Sequence, residues 1–245
     1  MKIRTLLIAL MLFTLLSCAD KKTADSEKPE KKKISVGVVL SVGGRGDNSF
    51  NDSAVRGAEK AEKDFDVTVN IGQPARLAED KKYLNTFAAM ECDLVVGVGF
   101  LMKDSVEEIA AKYPKVKFII IDSVSKGDNI RSIVFKEDEG SFLVGAIAAL
   151  KSENAKIGFI GGMKVPLIKK FERGYNEGAK YINPDIEIFN RYIGSGGDAF
   201  HDPVKAEQIA TTLFKNGADI IYHAAGQSGN GLIKAAQQEK KFAIG

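Results

Sequence analysis

The sequence predicts an α/β protein with two lobes, each a parallel sheet flanked by helices. Short apolar runs such as 34–40 and 118–121 alternate with longer stretches in which apolar residues recur at helical spacing. Continuous apolar runs are typical of strands buried on both faces, as in parallel sheets covered by helices. The alternation begins anew near residues 135–138, so we expect one lobe over 34–135 and a second over 136–245.

Composition indicates a soluble globular protein without a nucleic-acid partner. Of the 245 residues, 44% are hydrophobic and 27% are charged, which is ordinary for soluble domains. The formal net charge is +3, and much of the lysine excess lies before residue 34. Nucleic-acid binding would call for a basic stripe on the folded body. We therefore expect no nucleic acid among the partners.

The N-terminal residues have the layout of an export signal. Basic residues precede an apolar run, 5–16, that is too short to span a bilayer comfortably. Residues 15–18 read LLSC, which is similar to a bacterial lipobox. We expect 1–17 to be a lipoprotein signal peptide and Cys18 to be lipidated. The protein would then be anchored to the cell membrane, facing the periplasm or the outside. A plain signal peptide with an incidental cysteine is the alternative.

Residues 18–33 are predicted to be a flexible tether. They are dense in Lys and Glu and contain no large apolar side chain that could build a core. Exported chains usually pair their cysteines. Lipidation of Cys18 would leave Cys92 alone, just before an apolar run. We expect Cys92 to be a buried thiol and expect no disulfide.

The first lobe alternates strands with helices. Strands are predicted at 34–40, 67–71, 94–98, 118–121 and 130–135, and helices at 50–65, 80–90 and 105–113. Ser105 and Glu108 have the spacing of a capping box, which predicts that the last of these helices begins at Ser105. Pro114 is expected to end it.

The second lobe repeats this style. Helices are predicted at 139–150, 167–181, 204–216 and 231–239, and strands at 157–160, 186–193, 220–223 and 242–244. The first of these helices is rich in Gly and Ala, which predicts close packing against a neighbour. The pattern at residue 245 predicts more structure after the last strand. We therefore expect an incomplete second lobe, truncated from a longer protein.

The loop 41–51 (SVGGRGDNSFN) is the strongest candidate for a binding element. It joins the first strand to the first helix, at the carboxyl edge of the sheet where α/β proteins bind ligands. Its glycines allow backbone freedom. Phe50 supplies an aromatic face, and Asp47, Ser49 and Asn51 supply polar groups. This mixture favours a flat polar ring over a phosphate.

Other chemistries find little support, and we predict no catalytic residues, no metal site and no cofactor. The turn 226–231 precedes a helix but has Leu232 where a P-loop needs Lys, and it lacks the G-x-G-x-x-G spacing. It is either a tight structural turn or a ligand-lining loop. His201 and His223 have no partners at metal-ligand spacing, so a structural histidine is the default interpretation. Asp47 and Asp122 could in principle act as acid and base.

Strand-end loops carry aromatic and amide or carboxylate groups in both lobes. These groups are Phe50 with Asn51, Gly99 with Phe100, Asp122, Phe200 with Asp202, and Gly226. Each has a structural alternative; Phe50 could be a core residue, and Ser49 with Asp52 only a capping box. Together they describe a cleft with a stacking slot. A purine offers two flat faces for such rings and an edge that Asn or Asp can bond.

A set of ordered motifs extends along the chain: the lipobox, DxSFN at 47–51, VGVGF at 96–100, FIIID at 118–122, DEGSFLVG at 138–145, GGMxxP at 161–166, FxxGYxxG at 171–178, DAFxDP at 198–203 and the 226–231 turn. Together these motifs resemble the basic membrane protein family, the PnrA- or TmpC-like nucleoside-binding lipoproteins of ABC importers. The resemblance extends from Cys18 to Gly245.

The resemblance implies a type I periplasmic-binding-protein fold that closes on a purine nucleoside and delivers it to an ABC permease. It places one aromatic from each lobe on the base, here Phe50 and Phe200. It places Asn51 and Asp47 at the base edge. The remaining cleft residues that it implies are Gly99, Phe100, Asp122 and Gly226.

Two departures from the family's pattern bear on binding. Ser41 stands where the family often has an Asp that bonds the base, so base preference is expected to differ. The family's ribose-binding Asp and Lys would follow Gly245, so the chain as written is expected to bind nucleoside weakly or not at all. Three other functions stay open: a receptor for another small polar ligand such as a sugar, an exported nucleoside-processing enzyme, and a surface adhesin.

Overall fold

The computed structural model describes residues 33–245, which form one compact unit. The predicted signal peptide, the predicted lipidation site Cys18 and all but the last residue of the predicted tether lie outside the described residues. Every structural statement below concerns residues 33–245.

The first lobe is built on a five-stranded parallel sheet. Its strands, in the order β2-β1-β3-β4-β5, are β1 (Ile34–Val39), β2 (Val67–Gly72), β3 (Leu94–Val98), β4 (Lys117–Ile121) and β5 (Ile130–Ile133). The helices are α1 (Phe50–Asp64), α2 (Asp80–Ala89) and α3 (Lys103–Lys112). The predicted strand–helix alternation and parallel pairing of this lobe are confirmed.

The second lobe is built on a four-stranded parallel sheet. Its strands, in the order β7-β6-β8-β9, are β6 (Lys156–Met163), β7 (Glu187–Gly194), β8 (Ile220–Ala224) and β9 (Phe242–Ile244). The helices are α4 (Glu137–Lys151), α5 (Pro166–Ile182), α6 (Pro203–Lys215) and α7 (Gly229–Glu239). The two-lobed α/β fold with parallel sheets is therefore confirmed. The domain boundary at residues 135 and 136 stays a prediction.

Strand order explains where a ligand can enter. In the first sheet, β1 lies between β2 and β3. The chain therefore adds β2 on one side of β1 and then crosses over to add β3 on the other side. The loops that follow β1 and β3 therefore diverge, and a crevice opens between them at the carboxyl edge. The second sheet has the same arrangement, with β6 between β7 and β8. Each lobe thus presents one crevice.

Glycines let α4 and α5 pack closely, as the composition of α4 predicts. A Cβ built on Gly145 of α4 would lie 2.0 Å from the carbonyl oxygen of Tyr175. A Cβ built on Gly178 of α5 would lie 1.9 Å from the carbonyl oxygen of Phe142. Neither position can hold a larger residue unless the two helices move apart.

Several element ends differ from the sequence-based expectation. Helix α3 begins at Lys103, and Met102 rather than Ser105 precedes its first turn, so the predicted capping box is wrong. The Ser105 hydroxyl instead donates to the carboxylate of Asp80 at 3.3 Å, a contact between α2 and α3. Helix α7 begins two residues earlier than predicted, and β5 is shorter at its end. Cys92 is buried and free, as expected.

Candidate ligand-binding site

The carboxyl ends of both sheets border one cleft of about 460 Å³, a volume suited to a small ligand. The structure brings these sequence-predicted residues to the cleft: Ser41, Asp47, Phe50, Asn51, Gly99, Phe100, Asp122, Phe200 and Gly226. Asp202, which was grouped with Phe200, does not line it; its carboxylate instead accepts from the N–H of Lys205 and caps α6. Concavities of similar size on the outer faces of α5 and α6 are each lined by side chains of a single helix. The cleft between the lobes is therefore the candidate site.

Asp47 organises the loop between β1 and α1. Its Oδ1 accepts hydrogen bonds from the backbone N–H groups of Ser49 and Asp52, each at 3.0 Å. Its Oδ2 accepts one from the N–H of Asn51 at 2.7 Å. These N–H groups have no partners inside the helix, so the Asp47 side chain acts as the N-terminal cap of α1. Only 2% of Asp47 is exposed.

The alternative capping box of Ser49 and Asp52 is not formed. Ser49 makes no side-chain cap bond. Asp52 instead accepts from the N–H groups of Gly46 and Asn48, each at 2.9 Å. These bonds hold the loop before α1 against the first turn of the helix. The bond from Gly46 is the main cause that holds the pKa of Asp52 below its usual value.

Asn51 joins the end of β1 to the start of α1. Its Oδ1 accepts from the backbone N–H of Ser41 at 2.9 Å, and its Nδ2 donates to the carbonyl oxygen of Ser41 at 3.3 Å. One N–H of the amide remains for a ligand. The Ser41 side chain lines the cleft beside Gly99.

Aromatic rings enter the cleft from both lobes. Phe50 opens α1, and its ring lies against Gly99, whose φ of 110° favours glycine. Phe100, which follows β3, meets Phe200 of the second lobe with ring centroids 6.0 Å apart and planes at 76°. This is an edge-to-face contact, one of the preferred geometries for aromatic pairs. Phe200 in turn packs on Gly162.

Asp122 brings an ionisable group with an altered pKa to the cleft. It directly follows β4 and has a left-handed conformation, with φ of 63°. Burial raises the pKa of its carboxyl to about 6; the charge of Glu137 adds to the rise and that of Lys170 opposes it. Glu137 is itself buried and pairs with Lys170 of α5 at 3.0 Å. Asp122 therefore titrates closer to neutral pH than an ordinary aspartate.

Residues of the second lobe that sequence reasoning did not assign also line the cleft. They include Phe171 of α5 and Tyr222 and His223 of β8. Phe171 falls in a family motif, but its helical spacing gives no hint that it faces a ligand. His223 lies near the end of β8, just before a glycine-rich turn, and Asp122 directly follows β4. This position at a strand end was the sequence signal that could have identified His223 as a cleft residue.

His223 is a neutral group in the cleft wall. It is 5% exposed, and its ring packs on the backbone of Gly229. Burial lowers the pKa of its imidazole to about 4, although the charge of Asp47 acts in the opposite direction. Its Nδ1 is buried without a hydrogen-bond partner among residues 33–245. At neutral pH the ring can offer one donor and one acceptor.

The described part of the chain offers neither a cluster of metal ligands nor a membrane-spanning helix. Residues 33–245 hold no group of three or more His, Cys, Asp or Glu side chains placed to share a metal ion. Over the same residues, no helix has both the length and the apolar character needed to cross a membrane.

Known proteins are similar to this chain in both sequence and fold. The profile of the family described as ABC transporter substrate-binding protein PnrA-like matches residues 34–245. The CD4+ T-cell-stimulating antigen of Listeria innocua is 38% identical over 231 residues, which are 92% of this chain and 63% of that protein. The ABC transporter nucleoside-binding protein BmpA of Lactococcus lactis is 32% identical over 228 residues, 91% of this chain and 64% of that protein.

A solved structure agrees with these relatives. A solute-binding protein of an ABC transporter system from Aeropyrum pernix superimposes with a TM-score of 0.78 at 35% identity, covering 86% of this chain and 62% of that one. The chain thus spans a little under two thirds of the length of these three proteins. The matched region includes both lobes and the whole cleft, which confirms the resemblance found in the motifs. The chain belongs to the family of PnrA-like ABC transporter substrate-binding proteins.

Proposed function

We propose that the protein is the substrate-binding component of an ABC importer and that its cleft binds a purine nucleoside. The observation that carries the proposal is the convergence of aromatic rings from both lobes, Phe50 and Phe100 from one and Phe171 and Phe200 from the other. Flat rings on two sides of a cleft suit a flat base, and stacking contributes roughly 1–3 kcal/mol per base. The printed name of the Lactococcus relative points to the same ligand class.

The charges of the cleft favour a nucleoside over a nucleotide. Arg56 is the one Lys or Arg among the described residues that line it, and its guanidinium donates to the Ser53 hydroxyl at 2.7 Å. Asp47 and Asp122 lie in the same lining. A phosphate group would face these two carboxylates with one basic side chain to offset them, whereas phosphate sites are usually rich in Arg or Lys.

The polar groups suit the edges of such a ligand. The remaining amide N–H of Asn51 and the hydroxyl of Ser41 are, in this proposal, the groups of the first lobe that bond the base edge. Asp122 and His223 can bond hydroxyl groups, the first as an acceptor and the second as donor or acceptor. In this proposal Phe50 and Phe200 stack on the base, and Gly99 and Gly226 allow its close approach.

The protein works as a receptor and not as an enzyme in this proposal, and it passes its ligand unchanged to a membrane permease. The lipobox-like residues 15–18 support lipidation of Cys18 and a location at the cell membrane, facing the periplasm or the outside. A receptor held at the surface by acyl chains can meet both its ligand and the permease.

Titration calorimetry of the protein, expressed from its complete open reading frame, tests the proposal. We expect binding heat with inosine, guanosine or adenosine and none with ribose alone. Absence of heat with every nucleoside would contradict the proposal, and heat with sugars only would favour a sugar receptor. Chromatography of the same mixtures distinguishes a receptor from an enzyme, because a nucleoside-processing enzyme would release free base.

A further inference from the structure

An asparagine outside the cleft lining connects the two lobes. Asn230 lies in the first turn of α7, in the second lobe. Its Nδ2 donates to the carbonyl oxygen of Gly46 at 3.0 Å, and its Oδ1 accepts from Nδ2 of Asn48 at 3.3 Å. Both partners belong to the loop 41–49 of the first lobe. The amide of Asn230 therefore uses its donor and its acceptor on the same loop.

The loop is held in the conformation that meets Asn230. Gly46 and Asn48 have φ angles of 87° and 52°, in the left-handed region. The Asp52 carboxylate binds the N–H groups of both residues from behind, at 2.9 Å each. The carbonyl of Gly46 and the side chain of Asn48 are thereby left facing the second lobe. Gly43 of the same loop lies close to Gln227, next to α7.

The same loop also carries cleft residues. Asp47, Asn48 and Ser49 line the cleft, and Phe50 follows directly. A group that fixes this loop against the second lobe therefore fixes part of the ligand's surroundings. Hinge closure of two lobes over a ligand is a known way to slow its escape.

We propose that Asn230 is a positioning residue that, with Asn48, holds the loop 41–49 against the second lobe and so retains the ligand in the closed cleft. The bonds to Gly46 and Asn48 exist only while the lobes are together, so they stabilise the closed arrangement and not the open one. Loss of these bonds speeds ligand release and leaves ligand entry unchanged. The expected effect on ligand release rests on the proposed function, whereas the contact between the loop 41–49 and the second lobe does not.

Hydrogen exchange of the ligand-free protein tests the contact without any ligand. The variant Asn230→Ala removes both bonds, and Asn48→Gly removes one while it keeps the positive φ. Asn216→Ala is the matched control, since Asn216 is exposed at the end of α6 and its side chain makes no hydrogen bond among the described residues. We expect the peptide 43–49 to exchange about tenfold faster in Asn230→Ala, from two bonds of ordinary net strength. Equal exchange in Asn230→Ala and Asn216→Ala would overturn the proposal.

Stopped-flow binding of inosine and guanosine tests the effect on the ligand. We expect the dissociation rate to rise about tenfold in Asn230→Ala with the association rate unchanged, whereas a general folding defect would lower the fraction of active protein. The double variant with Asn48→Gly should release ligand no faster than Asn230→Ala, and additive effects would show that the two residues do not act together. If the unaltered protein binds none of inosine, guanosine and adenosine, the proposed function fails and the exchange experiment alone decides the role of Asn230.

Discussion

Single residues in the cleft serve the fold as well as the candidate site. The carboxylate of Asp47 is occupied by three backbone N–H groups, and both ends of the Asn51 amide bind Ser41. The motif spacing places these side chains at a strand end, but it does not reveal that the backbone uses most of their bonding capacity. The aromatic residues of the cleft differ from these polar residues, because the face of a ring remains available to a ligand after its edge has packed against the protein.

Phe200 offers the sharpest test of stacking. Replacing Phe200 with Leu keeps an apolar side chain on Gly162 but removes the ring, so we expect nucleoside affinity to fall roughly 10- to 100-fold, the value of one stacked base. Phe189→Leu is the control, because Phe189 packs in the core of the second lobe and does not line the cleft. Calorimetry measures both variants. Equal nucleoside affinities of the two variants would show that Phe200 has a structural role only.

Asp122 gives a pH-dependent contribution to stability. Burial and Glu137 raise its folded-state pKa to about 6, above the unfolded value, so the folded protein holds an extra proton between about pH 4 and 6. Stability from this group is therefore present at low pH and is lost as pH rises through 6.

The variant Asp122→Asn isolates this effect. Asn tolerates the left-handed φ of 63°, so the backbone need not change. Relative to the unaltered protein, we expect the variant to become more stable as pH rises from 4 to 7, by about 1 kcal/mol after allowance for solvent screening. Urea unfolding at both pH values measures the difference. A difference that does not vary with pH would contradict the assigned pKa.

At the scale of elements, most strands and helices follow from local patterns, but their ends do not. Continuous apolar runs predicted the central strands, because a strand buried on both faces must be apolar on both. Polar residues interrupt edge strands such as β5 and β7. The start of α3 was predicted wrongly because Ser105 bonds Asp80 of a neighbouring helix instead of its own backbone. A capping motif is local, and a contact with another helix can displace it.

The two glycines of α4 allow a matched test of helix packing. A Cβ on Gly145 would lie 2.0 Å from the Tyr175 carbonyl oxygen, whereas one on Gly140 would meet nothing within 4 Å. We expect Gly145→Ala to lower the free energy of unfolding by about 2 kcal/mol through overpacking. Gly140→Ala should raise it by about 0.5–1 kcal/mol, because Ala favours the helix. Urea unfolding of both variants measures this, and similar values would contradict the close packing of α4 on α5.

At the scale of the whole molecule, the lipid anchor proposed for Cys18 would hold the cleft at the cell membrane. Replacing Cys18 with Ser removes the acyl-acceptor thiol that lipidation requires. We expect the unaltered protein to enter the detergent phase in a phase-separation assay and the Cys18→Ser variant to remain in the aqueous phase. Cys92→Ser is the control, since that thiol is buried in the folded body. Equal partitioning of both variants would contradict the proposed anchor.

Local residue patterns predict the α/β class, the order of strands and helices, and the strand ends at which ligand groups gather. These features depend on local periodicity and on the rule that parallel strands end at the same edge. The packing of the two lobes, in contrast, sets which groups face the cleft together, among them Phe171, Tyr222 and a neutral His223.

It also joined Asn48 to Asn230, which are 182 residues apart in the chain. Contacts of this kind depend on how one lobe faces the other, and no local pattern of residues encodes that relation.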